Sequence, residues 1–179
     1  YSSVDENGTA HGAGAHSSYW NHGITSRQAA EETAQLEAAA TFLLHTFPSK
    51  TFVIENWEGD FMSRKHTFVR TTAASELSLS SMITWLQARQ AGVTQARAKR
   101  DAQQGSGRSQ SPATQTGNVF FSAEVNLMMG ALVGDGPWGT AKEMVNQVIP
   151  FVALDMVSYS AYDTMYCPQA HDGSGSAPW

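Results

Sequence analysis

Three stretches of this sequence carry acids and amides beside aromatic rings: Glu55-Asn56-Trp57-Glu58-Gly59-Asp60, Ser122-Ala123-Glu124-Val125-Asn126 and Ser158-Tyr159-Ser160-Ala161-Tyr162-Asp163. Paired carboxylates with aromatic platforms are what sugar chemistry needs. Glycosidic cleavage uses one carboxylic acid to protonate the leaving oxygen and a second carboxylate as nucleophile or base. Indole and phenol faces stack on the apolar faces of sugar rings. Glu124 and Glu58 are the candidate carboxylates, and Trp57, Tyr159 and Tyr162 the candidate platform. Asn56, Asn126 and Asp163 lie beside them as candidate partners for substrate hydroxyls. The plainer reading of each carboxylate is a hydrogen-bond acceptor that anchors a loop at a strand end. Asp60, one residue past Gly59, is read that way.

The elements that must position these residues are legible in the pattern. Thr25 with Gln28 makes a capping box, and Leu36, Ala40, Leu43, Leu44 and Phe47 recur at helical spacing, which predicts a helix over residues 25–47. TFVIENW at 51–57 reads as a buried strand, 59–79 as an irregular connection and 80–103 as a second helix. The polar stretch 104–117 reads as a loop, and NVFFSAEVN at 118–126 as a second strand. Within it, alternation puts Ser122, Glu124 and Asn126 on one face and Phe121, Ala123 and Val125 on the other. Thr140 with Glu143 predicts a capping box opening a third helix through Ile149, and ALDMVSY at 153–159 a third strand. Alternating helices and strands imply an α/β fold with a parallel sheet, in which ligands bind at the carboxyl ends of the strands. All three acidic and aromatic stretches fall at such ends. Residues 1–23, rich in Gly, Ser, His and Asn, read as a flexible arm, 24–167 as the α/β domain and 168–179 as a disordered tail.

Composition narrows the partners. The 179 residues suffice for one domain with a sizeable core. Sixteen acids against eleven bases, a formal charge of −5, argue against nucleic acid or an anionic membrane surface. No apolar run approaches the ~20 residues of a membrane span. The single cysteine, Cys167, excludes an intrachain disulfide framework, and the scattered histidines match no standard zinc spacing. No glycine-rich stretch has the context of a phosphate cradle, so neither a metal nor a cofactor is expected. The cluster Arg97, Lys99, Arg100 reads as a solvated helix end. Asn7-Gly8-Thr9 is a glycosylation sequon and points toward a secreted or extracytoplasmic protein.

Four motifs in order carry a resemblance: Asn56-Trp57-Glu58-Gly59-Asp60, Trp85-Leu86-Gln87-Ala88-Arg89-Gln90-Ala91-Gly92-Val93, Ala123-Glu124-Val125-Asn126 and Ser158-Tyr159-Ser160-Ala161-Tyr162-Asp163-Thr164. Together they resemble a poorly characterised group of glycoside-hydrolase-like (β/α)8-barrel proteins. The resemblance implies a barrel with a sugar-facing carboxyl rim. Related barrel glycosidases place an acid/base Glu near the fourth strand, often beside an Asn, and a nucleophilic Glu near the seventh. Glu124 matches the first role best, with Glu58 as the alternative. Arg89, inside a shared motif, is a candidate substrate-binding residue and a candidate partner for a strand-end carboxylate. A full barrel takes about 250 residues. Three strands therefore imply a partial, truncated barrel whose open sheet edge invites self-association. Two functions follow: a hydrolase using Glu124 and Glu58, or a non-catalytic saccharide-binding or assembly protein on the same fold.

Overall fold

A computed structural model describes residues 3–4, 10–11, 17–64, 72–105, 117–135 and 140–161. Asn7, Tyr162, Asp163 and Cys167 lie outside them, as do most of the polar stretch before the second strand and the tail. A small antiparallel ladder pairs β1 (Ser3–Val4) with β2 (Ala10–His11). The main chain path then runs through α1 (Ser17–His22), α2 (Ser26–Thr46), β3 (Thr51–Glu55), α3 (Gly59–Ser63), α4 (Glu76–Gly105), β4 (Asn118–Val125), α5 (Met128–Val133), α6 (Met144–Gln147), a 3-10 turn (Ile149–Phe151) and β5 (Met156–Tyr159).

The α/β expectation holds: β3, β4 and β5 form a parallel sheet in the order β3-β4-β5. Alternation along β4 sends Val119, Phe121, Ala123 and Val125 into the core beneath α2 and α4. The opposite face carries Val53, Phe120 and Met156, of which Val53 and Met156 stay 48 % and 45 % exposed. The helices follow their local signals. The Thr25–Gln28 capping box forms as read. The helix expected from residue 80 starts earlier, at Glu76, because Ser75 Oγ accepts the Ser78 N–H at 3.2 Å and caps the first turn.

Other elements depart from the reading. Residues 17–22, placed in the arm, are helical, and Trp20 is fully buried, edge-on to Trp85 at 5.7 Å. The Thr140–Glu143 contact forms, with Thr140 N–H donating to Glu143 Oε1 at 2.7 Å, but it does not open a long helix. Glu143 is the N-cap of the four-residue α6, and its carboxyl turns inward to Arg64. The basic end of α4 is anchored rather than solvated: Arg97 pairs with Asp155, Lys99 with Glu37, and Arg100 with Asp101 and the Gly117 carbonyl.

Two joints tie α4 to its neighbours. The first is Gly92, where α4 crosses α2. A Cβ there would strike the Thr33 carbonyl oxygen and lie 2.9 Å from both Glu37 N and Leu36 Cβ. Gly92→Ala is expected to destabilise by about 2 kcal/mol, because overpacking outweighs the gain in helix propensity. A urea titration showing an unchanged or higher midpoint would contradict this.

The second joint is Asp155, at the entry to β5. It accepts both Arg97 guanidinium nitrogens at 2.9 Å, Gln90 Nε2 at 3.0 Å and the Phe121 N–H at 3.0 Å. Burial pushes its carboxyl up, but the hydrogen bonds from Arg97, Gln90 and Phe121 prevail and hold it below the usual aspartate range. A carboxylate with a depressed folded-state pKa adds stability above its unfolded value, near pH 4, and loses it as pH falls further. The stability gap between wild type and Asp155→Asn is therefore expected to be full at neutral pH and to shrink progressively below about pH 4. A gap constant down to pH 2 would exclude this role.

Candidate functional site

The carboxyl ends of β3 and β4 meet through side chains. The ladder between them continues when Asn56 N donates to the Ser122 carbonyl at 3.3 Å. The buried Asn56 side chain then replaces a backbone partner, its Oδ1 accepting the Glu124 N–H at 3.1 Å. Glu124 in turn reaches across, its Oε2 accepting the Glu58 N–H at 2.6 Å. The chain turns here. Glu58 has φ 42° and ψ 64°, the one non-glycine residue in the left-handed region among the described residues. That conformation is strained for a residue with a Cβ, and such strain clusters at functional sites. The next residue must be glycine, since a Cβ on Gly59 would lie 2.8 Å from the Glu124 carbonyl oxygen and run into the Met144 thioether.

The Glu124 carboxylate is thus brought to the Glu58 backbone at the rim. Burial raises the Glu58 carboxyl above its ordinary range, and the neighbouring Glu124 raises it further. Neither carboxylate is paired with Arg89. That guanidinium binds Glu32 Oε2 at 2.9 Å and lies over the Trp85 ring, its carbon 4.5 Å from the ring centroid. The expected pairing of Arg89 with a strand-end carboxylate is therefore overturned: Arg89 joins α4 to α2 instead. The reason is helical position, because Arg89 sits on the α4 face turned toward Glu32.

The aromatic residues divide differently from the reading. Trp57 is 63 % exposed and sits edge-on to Phe61, with centroids 5.9 Å apart. The register pairs Ser158 with Glu124 and Tyr159 with Val125, so alternation turns Tyr159 away from the Glu124 side. Phe61 was missed because 59–79 read as irregular; its spacing of four from Trp57 was the available signal. Asn126 lies just past β4. Its N–H is held by Asp60, while its Oδ1, like Asn56 Nδ2 and Ser158 Oγ, is buried without a hydrogen-bond partner.

Beneath the rim lies a cluster that no motif revealed. Asp60, 1 % exposed, accepts the N–H groups of Asn126 at 2.8 Å and Leu127 at 3.2 Å through Oδ2, and that of Met144 at 2.7 Å through Oδ1. The reading of Asp60 as structural is met, with partners from two other segments. Arg64, at the end of α3, forms a fully buried ion pair with Glu143. Among the described residues, no group of three or more His, Cys, Asp and Glu could hold a metal ion, and no helix is long and apolar enough to cross a membrane.

Comparison with family models, with curated proteins and with solved structures finds no match to this chain. The functional reading rests on the chain's own residues and their geometry.

Proposed function

We propose that the protein acts on a saccharide at the carboxyl ends of β3 and β4, as a glycoside-hydrolase-like protein built on a partial (β/α) barrel. One observation carries the reading: the Glu124 carboxylate holds the Glu58 backbone N–H at the rim, and the Glu58 carboxyl is made a weaker acid by burial and by Glu124. A carboxyl made a weaker acid beside a second carboxylate is the arrangement that acid/base cleavage of a glycosidic bond requires. Glu58 is then the proton donor and Glu124 the second carboxylate, the reverse of the roles implied by the family resemblance. Trp57, exposed beside Glu58, offers the stacking surface. The barrel reading draws support from the parallel β3-β4-β5 order with α2 and α4 packed on one face. Self-association through the outer strands β3 and β5, and secretion, belong to the same proposal.

The test is release of a chromophore from a panel of aryl glycosides by wild type, Glu58→Gln and Glu124→Gln. Turnover by wild type that either substitution abolishes supports the proposal. Wild-type turnover untouched by both overturns it.

A second reading has its own observation. The short hydrogen bond from Glu58 N to Glu124 Oε2 is what a loop-anchoring acceptor makes, so the rim could hold a sugar without cleaving it. In that case no glycoside turns over, and Trp57→Ala weakens saccharide binding while Glu124→Gln leaves it intact.

A further inference from the structure

Charge counting in the buried cluster leads beyond the rim. Asp60 accepts the N–H of Met144, the residue after Glu143, so two buried carboxyls sit at the start of α6 with a single guanidinium, Arg64, beside them. If both carboxyls were ionised, the cluster would hold one negative charge in excess inside the core, a costly arrangement. The hydrogen bonds point the same way. Glu143 Oε1 accepts from Arg64, from the Thr140 N–H and from the Thr140 hydroxyl at 3.3 Å. Its Oε2 is buried and no donor reaches it. A proton on Oε2 removes the cost of leaving a buried anionic oxygen without a donor.

We infer that Asp60, Arg64 and Glu143 form a proton-held joint: a proton on Glu143 closes it, and loss of that proton as pH rises loosens its hold on Asn126, Leu127 and Met144. Those three backbone N–H groups all end on Asp60, so the joint fixes the exits of β4 and the entry of α6 relative to α3. Among the described residues, the charged groups that act on Glu143 are Arg64 and Asp60. Of the elements packed against α6, α3 with its cap contributes Asp60 and Arg64, while α5 and the 3-10 turn carry no titratable side chain. Lys142, next in sequence, is turned outward to Glu76.

The acidity of Glu143 agrees with the geometry. Burial, opposed by Thr140 and Arg64 and reinforced by Asp60, pushes the Glu143 carboxyl up to about 7. A carboxyl raised in the folded state adds stability that is complete below its unfolded value and is lost as pH rises through the folded one. The joint is therefore closed in acid and weakened above neutrality. This inference does not depend on what the rim binds.

The experiment is a pH titration of the full chain by amide NMR, from about pH 5 to about pH 8, a range spanning ordinary and raised carboxyl values. The Asn126, Leu127 and Met144 amide resonances are expected to shift together with a midpoint near 7, and thermal stability to fall across the same range. Glu143→Gln, which cannot release the proton, is expected to abolish both effects while leaving every histidine in place. Amides that do not titrate, or that titrate identically in Glu143→Gln, overturn the inference. If that variant does not fold, the carbon-13 carboxyl shift of Glu143 in wild type decides: a midpoint in the ordinary carboxylate range overturns it equally.

Discussion

Asp60→Ala is expected to cost about 3–5 kcal/mol, which is a third or more of the stability of an ordinary domain. Three buried N–H groups, of Asn126, Leu127 and Met144, lose their acceptor at once. Each buried donor left unpaired carries its full desolvation penalty, about 1–3 kcal/mol. Asp60→Asn keeps one acceptor oxygen but presents an amide N–H₂ to a backbone donor, so it is expected to recover only a fraction. Chemical denaturation of the three proteins checks the order wild type, Asn, Ala. A loss under about 1 kcal/mol for Asp60→Ala would show that water takes over the three amides and that the joint is not an energetic centre.

Glu58 yields the second large effect, and it separates function from folding. Under the proposed mechanism, Glu58→Gln is expected to lower turnover by about 10²–10⁴-fold, the usual contribution of a positioned general acid. Glu58→Gly is expected to lose the same activity yet to gain about 1 kcal/mol of stability, roughly 2–4 °C in Tm, by removing a Cβ from a left-handed backbone. Loss of activity with a rise in Tm is the signature of strain retained for chemistry. A fall in Tm for Glu58→Gly would mean that the side chain itself holds the turn. The second reading would then take precedence.

Much of this was legible in the sequence where the information is local. The Thr25–Gln28 box set the start of α2, and the apolar run at 118–126 gave both the strand and the face that Glu124 occupies. The meeting of Glu58 with Glu124 followed from the rule that parallel strands present their carboxyl ends together. What could not be read depends on partners far along the chain. Asp60 could be called structural, but not what it holds, since Asn126 is 66 residues away and Met144 is 84. Arg89 drew the wrong partner because a motif records neighbours in sequence, whereas its carboxylate, Glu32, lies 57 residues back on another helix. Trp20 escaped because a six-residue helix has too few positions to show an apolar period.

The crossovers have a consequence for how the protein reaches this structure. Glu55 and Ser122, neighbours in the sheet, are 67 residues apart, and every β3–β4 pair shares that separation. No hairpin can nucleate such a ladder, so closing it costs loop entropy before any strand bond repays it. The α2–α4 packing around Gly92 also joins distant segments, yet each of those helices can form on its own from local bonds. Assembly therefore runs from helices to sheet. Until β4 slides between β3 and β5, its Val119, Phe121, Ala123 and Val125 stand open to the solvent. The nascent chain is most prone to aggregate in that interval, and it is β4 that a chaperone would hold.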